Sequence, residues 1–364
     1  MKVGLYSPFL DNNLGGGERY LLTVAEYLSQ RHQVHLFLNK KKAGGKGFLK
    51  DYGQKFHLDL SRVKVRNKPF SNYSRLGRLR LTAGYDAFFY LTDGSFFFSL
   101  AKKNIVHFQI PFSQPPSGWF NKLKLKNWPI KAANSYFTKE FLEKRWGIDI
   151  DFVHQCGPDL NIFKPLKKKK IILSVGRFFT SSGYKHCKRQ GLLVKAFKKM
   201  CDQGLKGWTL VLDGSVDKGR DNQAYAQKVK KMTKDYPINI RHELNSAQLV
   251  KDYGQAYIYW HAAGYGIDED KHPEAVEHLG LSTIEAMAAG AAPIVIHKGG
   301  QKEIVNHNQN GLFWSQEKEL IDKTFKVIRN KALFKRLSKG ARKRAGDFSK
   351  EKFNQITEEI FGLK

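Results

Sequence analysis

The sequence predicts an α/β protein built from two Rossmann-like halves, and three observations carry that prediction. At 364 residues the chain is longer than one hydrophobic core usually serves, so two domains are expected. A strand, a glycine loop and an amphipathic helix open the chain at residues 3–28, and a similar strand–loop–helix unit recurs from Ile171. Residues 273–300 then read as a loop, a helix, a short β-branched strand suited to a parallel sheet, and a second glycine turn.

The composition fits folded cores: 41% of residues are hydrophobic and 13% aromatic, which argues against disorder. Cys156, Cys187 and Cys201 show no C-x-x-C pairing, so neither a disulfide framework nor a zinc site is expected, and a reducing compartment fits best. The opening M-K-V-G-L-Y-S-P-F reads directly as a strand, without a signal-peptide apolar region. The most apolar stretch, Tyr85 to Leu100, is broken by Asp86 and Asp93–Gly94 and is too short to span a bilayer. A cytoplasmic location is the expectation.

Charge is the unusual property: 63 Lys and Arg against 33 Asp and Glu give +30. The cations crowd residues 40–50, 62–80 and 122–126, and Lys167 to Lys170 are consecutive. Such a surface suits nucleic acid, an anionic membrane or phosphate-bearing substrates, or is simply a basic solvated surface. No helix-turn-helix, zinc-finger or aromatic RNA-binding signature accompanies it, so nucleic acid is not the expected partner.

In order, residues 3–7 are the first strand, followed by D-N-N-L-G-G-G-E-R-Y and the helix L-L-T-V-A-E-Y-L. A dinucleotide fingerprint needs a third glycine where Tyr20 stands, and the next strand, Val34 to Leu38, ends in Asn39 and not an acid. A dehydrogenase is therefore set aside. Ala87–Leu91 and Ile105–Pro111 are strands, and the second carries His107. A lone histidine there is either a packing residue or, at the carboxyl end of an open sheet, a ligand contact. Residues 39–82 are the least informative.

In the second half, strand Ile171–Val175 leads through Gly176–Arg177–Phe178 and a polar loop into the helix K-R-Q-G-L-L-V-K-A-F. Trp208–Leu212 is a strand ending in Asp213–Gly214–Ser215, residues 221–235 a charged helix, and Ala256–His261 a strand. Ser282 and Glu285 have capping-box spacing, which predicts a helix from about Thr283, closed by Gly290. Gly280 lets the backbone turn and bare its amides, and with the helix dipole these make an anion site. Glu277 and Glu285 are two carboxylates at its mouth. The competing reading makes Glu285 only a cap and Glu277 a solvated loop charge. The D-E-D triplet at 268–270 lacks the flanking strand of a metal motif and reads as a solvated acidic loop. A short helix at 301–305, a strand at 312–314, a helical stretch over 317–345 and a last helix complete the chain.

The run E-H-L-G-L-S-T-I-E-A-M-A-A-G, with glutamates eight positions apart, resembles the E-x7-E signature of retaining GT-B glycosyltransferases of family 4, the glycosyl transferases group 1. The G-G-x-E-R turn, the H-x-Q-x-P strand end, N-S-Y-F-T and the G-R-x…K-x-x-x-L-L-x-A-F unit are similar to that family as well. The resemblance implies two Rossmann-like domains facing across a cleft, with a C-terminal helix crossing back to the first. Residues 1–163 are then the acceptor domain, 164–345 the donor domain and 346–364 the crossover helix. It assigns Glu285 to the ribose of a nucleotide sugar, Glu277 to the donor sugar, and the Gly280, Leu281 and Ser282 backbone to the diphosphate. Arg177 and Lys188, with Arg189 as the rival of Lys188, would bind the same diphosphate. Gly15 and Gly16 would let acceptor and donor phosphate approach, His107 would touch the donor sugar, and His261 would line the base and sugar pocket.

Two departures stand out: Pro158 where the family has valine, and Asp213 where it has glycine. The implied reaction moves a hexose, from a GDP- or UDP-hexose, to a hydroxyl acceptor with retention at the anomeric carbon. The acceptor implied is a lipid-linked or anionic glycan at the inner face of a membrane, with no metal or other cofactor. A sugar-nucleotide epimerase of the same fold is the alternative.

Overall fold

The β-branched and aromatic runs become the strands of two parallel sheets in a computed structural model that describes residues 1–10, 15–38, 45–66, 68–180, 187–242 and 245–363. The lysines at 40–42 therefore lie outside the described residues. The chain divides into two units, Met1–Cys156 with Glu351–Lys364, and Gly157–Lys350.

The first unit holds β1 (Lys2–Tyr6), β2 (Gln33–Phe37), β3 (Lys64–Arg66), β4 (Ala87–Thr92), β5 (Lys103–Phe108), β6 (Ile130–Ala133) and β7 (Phe152–Val153). They pair in the order β3-β2-β1-β4-β5-β6-β7, all parallel. Its helices are α1 (Gly16–Ser29), α2 (Gly45–Phe56), α3 (Arg75–Ala83), α4 (Trp119–Lys126) and α5 (Tyr136–Trp146). All six residues of β4 are buried, as a parallel strand covered on both faces requires. One face packs on an aromatic cluster that includes Phe37, Phe70, Phe88, Phe97 and Trp128.

The last helix, Lys350–Phe361, packs in this first unit. Phe353 stacks on His154 with centroids 4.0 Å apart, and Phe361 on Phe89 at 5.9 Å. The Tyr27 hydroxyl donates to Glu358 at 2.5 Å, and the Lys103 ammonium donates to the Phe361 carbonyl at 2.8 Å.

The second unit holds β8 (Ile171–Val175), β9 (Thr209–Asp213), β10 (Ile238–Arg241), β11 (Ile258–His261), β12 (Ala292–Ile296) and β13 (Leu312–Trp314). Their order is β10-β9-β8-β11-β12-β13, again parallel throughout. The helices are α6 (Gln190–Asp202), α7 (Arg220–Met232), α8 (Ser246–Gln255), α9 (Leu281–Ala288), α10 (Gln301–Ile304), α11 (Glu317–Arg329) and α12 (Lys331–Ala345). Trp260, Trp314 and Phe197 fill one side of the sheet, and Tyr253, Tyr259 and Met287 the other. In both sheets the strand order reverses beside the first strand, and open α/β sheets hold ligands at the carboxyl ends flanking that reversal.

Three local expectations change. The α9 helix begins at Leu281, two residues before Thr283, with Gly280 as its cap and no side-chain cap bond. The helical stretch 317–345 is two helices, broken at Asn330, whose side chain accepts from the Leu333 amide. Lys168, within the run Lys167 to Lys170, is not part of a solvated basic surface. Its ammonium donates to the carbonyls of Gly254 at 2.9 Å and Ala289 at 2.5 Å, beside the ends of α8 and α9.

Candidate active site

In the second sheet the reversal lies between β8 and β11, which pair directly. The chain leaves β8 through Gly176–Arg177, and β11 ends on His261. Gln190 donates to the carbonyls of both Gly176 and Arg177 at 3.1 Å, and the Gly176 amide donates to the Asp213 carbonyl at 2.8 Å, which fixes the turn. A Cβ at Gly176 would lie 2.6 Å from Lys188 Cγ, so the absence of a side chain lets the lysine stem lie over this turn.

The Lys188 ammonium donates to Glu277 Oε2, and His261 Nε2 meets the same oxygen at 3.0 Å. Three separate stretches thus converge: the lead into α6, the end of β11 and the loop before α9. The carboxylate can only accept, so the imidazole proton sits on Nε2. Burial holds the His261 pKa below the usual histidine value, and nearby Lys188 adds to that, while Glu277 opposes them. The ring is therefore neutral near pH 7. Its Nδ1 is buried without a partner.

The loop after Glu277 runs into α9. Gly280 has φ +107°, a conformation that favours glycine, and a Cβ there would lie 2.0 Å from Gln301 Nε2. No acid stands in the first turn of α9. The amides of Leu281 and Ser282 occupy the first helical positions, where no carbonyl of the helix can reach them. Chain direction, dipole and open amides together make an anion site.

Ser282 and Glu285 do not form the capping box their spacing suggests. The Ser282 hydroxyl accepts from Tyr259 at 2.7 Å, and Glu285, 6% exposed, accepts from Tyr253 at 2.8 Å. Neither tyrosine was among the sequence-derived site residues. A signal for Tyr259 was present, since it lies two residues before His261 on one strand and so shares its face. Tyr253 sits on α8 and carried no comparable signal.

The acidic insertion is also more than a solvated loop. Glu269 accepts from the Gly299 amide at 2.6 Å and from Lys302 at 2.8 Å, and the Lys298 ammonium donates to the Ile267 carbonyl at 2.5 Å. The Gly300 amide donates to the Glu277 carbonyl at 2.8 Å. Glu269 thus braces the glycine turn that holds the Glu277 backbone. Among the described residues no group of three or more His, Cys, Asp or Glu is arranged to hold a metal.

Arg177 pairs with Asp217. Its Nη1 donates to both carboxylate oxygens of Asp217, at 2.9 and 3.0 Å, and the guanidinium lies over Phe179. Asp213, at the end of β9, is buried with both oxygens unpartnered. Burial, followed by the neighbouring Asp252, pushes its carboxyl up to about 7 against the pull of Arg241.

The remaining expected residues belong to the first unit. Gly15 is extended and caps α1, which starts at Gly16, and the Gly15 amide donates to Glu18 at 2.9 Å. His107 is fully buried, stacked on Tyr20 with centroids 4.0 Å apart, and neither ring nitrogen has a partner. Burial, with His154 nearby, holds its pKa well below the usual value.

The sequence profile described as glycosyl transferases group 1 matches residues 159–344, just over half of the chain and all of the site described in the second unit. The GDP-Man:Man(3)GlcNAc(2)-PP-Dol α-1,2-mannosyltransferase of Dictyostelium discoideum is 25% identical over 250 residues. That alignment covers 65% of this chain but only 46% of the relative. Among solved structures, Anabaena Alr3699/HepE in complex with UDP is 17% identical, covers 100% of both chains and has a TM-score of 0.74. A glycosyltransferase of Rickettsia africae ESF-5 is also 17% identical, with 98% and 97% of the two chains covered and a TM-score of 0.72. These likenesses extend over both parallel-sheet units, and the profile match lies on the unit that carries the Lys188–Glu277–His261 cluster. The chain belongs to the glycosyl transferases group 1 and has the GT-B fold.

Proposed function

We propose that this glycosyltransferase moves a hexose from a nucleotide-diphosphate sugar to a hydroxyl acceptor, with retention at the anomeric carbon. The observation that carries the proposal is the part-buried Lys188–Glu277 pair beside the uncapped, acid-free N-terminus of α9, at the sheet's reversal. In this reading residues 1–163 take the acceptor, 164–345 the donor, and 346–364 return to the first domain. GDP and UDP are the bases favoured, since the Dictyostelium relative is named for GDP-mannose and HepE was solved with UDP and with UDP-glucose. The dolichol-linked glycan in the relative's name supports a lipid-linked acceptor.

The chemistry assigned to each group follows from its type. The Leu281 and Ser282 amides and the helix dipole hold the diphosphate, and Glu285 accepts from the ribose hydroxyls. The Lys188 ammonium neutralises charge that builds on the diphosphate as the bond to the sugar breaks. Glu277 fixes that ammonium and accepts from a sugar hydroxyl, and neutral His261 orients Glu277 through Nε2. Arg177 reaches the diphosphate only if phosphate competes with Asp217 for its guanidinium, so its contribution is the smaller of the two cations. The leaving phosphate takes the acceptor proton, and no protein base is required. No metal enters this scheme.

The test is thermal stabilisation by a panel of UDP-, GDP-, ADP- and TDP-sugars, for wild type and Glu285→Ala, followed by NMR of the anomeric configuration of any product. One base should stabilise the wild type alone and transfer should keep the configuration. Inverted product, or no response to any nucleotide, overturns the reading.

A further inference from the structure

The α4 helix, W-F-N-K-L-K-L-K, displays its apolar residues outward. Trp119 is 76% exposed, Leu123 45% and Phe120 39%. At about 100° per residue these three span roughly 100° of the helix surface, and Leu125, the buried residue of the helix, lies on the opposite side. The stripe is therefore additional to the face that packs on the core. Lys122 and Lys126 flank it on one side and Lys124 on the other, with the Lys124 ammonium 4.8 Å from the Phe120 ring centre. The Phe98 ring extends the patch, 5.6 Å from Phe120. Residues 94–139 contain seven lysines and no acidic residue.

An exposed tryptophan–leucine stripe with a lysine rim, in a stretch of chain without acidic residues, has the chemistry of the bilayer interface. The ring of Trp119 has an apolar body and one polar N–H, and the lysines can extend toward headgroup phosphates while their stems stay on apolar surface. Among the described residues no helix is long and apolar enough to cross a membrane. We propose that α4 docks this protein on an anionic lipid surface, with Trp119, Phe120 and Leu123 seated among the headgroups and Lys122, Lys124 and Lys126 paired with lipid phosphates. This deepens the proposed use of a lipid-linked acceptor and rests on it for its purpose, but the binding is measurable with neither acceptor nor donor. It builds on the cationic run at 122–126, which lies within α4.

The test is co-sedimentation of the full chain with phosphatidylglycerol–phosphatidylcholine vesicles and with phosphatidylcholine alone, at low and high salt. Trp119 is the exposed tryptophan, so bromine-labelled lipid should quench its emission, and Trp119→Phe should remove most of that quenching. Trp119→Ser with Leu123→Ser should lower the partition coefficient on anionic vesicles about tenfold while leaving nucleotide stabilisation unchanged. The second result separates this inference from the donor-site reading, which fails only if nucleotides do not bind. Equal partitioning of wild type and double variant, equal partitioning onto neutral and anionic vesicles, or conversion of a solution dimer to a monomer by the double variant each overturns the proposal.

Discussion

Two of the helices that open from a glycine, α1 and α9, have N-termini that are prepared differently. At α1 the Gly15 amide is already taken by Glu18, a buried carboxylate of the same helix. A negative side chain thus sits where the dipole would attract an anion. At α9 no side chain caps the turn, no acid stands in the first turn, and a lysine is fixed nearby through Glu277. Similar sequence signatures therefore give one helix end that is closed by its own chain and one that is open. The difference is what favours α9 in the proposed diphosphate site, where Gly15 and Gly16 keep only the backbone role that the family resemblance implies.

The largest expected effect comes from removing the lysine at the open end. Lys188→Ala should lower kcat about 10²–10³-fold, the range for losing one preorganised electrostatic group. Glu18→Gln should change kcat far less, because its carboxylate serves α1. Steady-state kinetics on both variants decides the comparison, and a larger loss from Glu18→Gln reverses it.

Gly280→Ala comes next. A left-handed conformation costs a non-glycine residue about 1–2 kcal/mol, and the new Cβ would also collide with Gln301. Adding Gln301→Ala should return part of the lost denaturation midpoint but not the nucleotide affinity, since the turn would still be distorted. Recovery of both by the double variant would mean that the turn serves packing alone.

How far the sequence reaches is visible in these residues. The alternation of apolar runs and glycine turns specified the parallel strands, because a strand buried on both faces must be apolar throughout. Glu277, Lys188 and His261 were found individually through a motif, but their shared oxygen comes from three stretches that only the sheet order brings together. Glu269 was misread because an acidic triplet in an insertion looks solvated until Lys302 and the Gly299 amide close on it. Spacing misled at Ser282 and Glu285 for the same reason: two tyrosines from α8 and β11 outcompete the local cap.

The two units also differ in how protons act on them. In the first, burial lowers the His154 pKa to about 3, while its Nε2–H donates to the Phe353 carbonyl at 3.0 Å and Nδ1 accepts from Tyr20 at 2.5 Å. The unfolded chain binds this proton near pH 6.5, so the contribution is full above that pH and is lost as pH falls toward 3. The slope approaches about 1.4 kcal/mol per pH unit for this group. Chemical denaturation from pH 7 to pH 4 should show it, and His154→Phe should flatten the curve. An unchanged slope in that variant would transfer the effect to His107.

Asp213 carries the opposite sign. Its folded carboxyl titrates at about 7 against an ordinary 3.8, so the folded state binds the extra proton and stability falls as pH rises between those values. Above pH 7 the buried carboxylate is ionised with neither oxygen partnered, while the nearby Arg241 is engaged by Asp252 and offsets only part of the cost. Asp213→Asn keeps the shape and removes the charge, so it should stabilise the second unit at pH 8 and do nothing measurable at pH 4. A gain that is equal at both pH values would assign the effect to packing and remove the carboxyl from the comparison. If the substitution also weakens nucleotide binding at pH 8, the buried carboxylate is held ionisable for the donor, which would account for an aspartate where the family's glycine is absent.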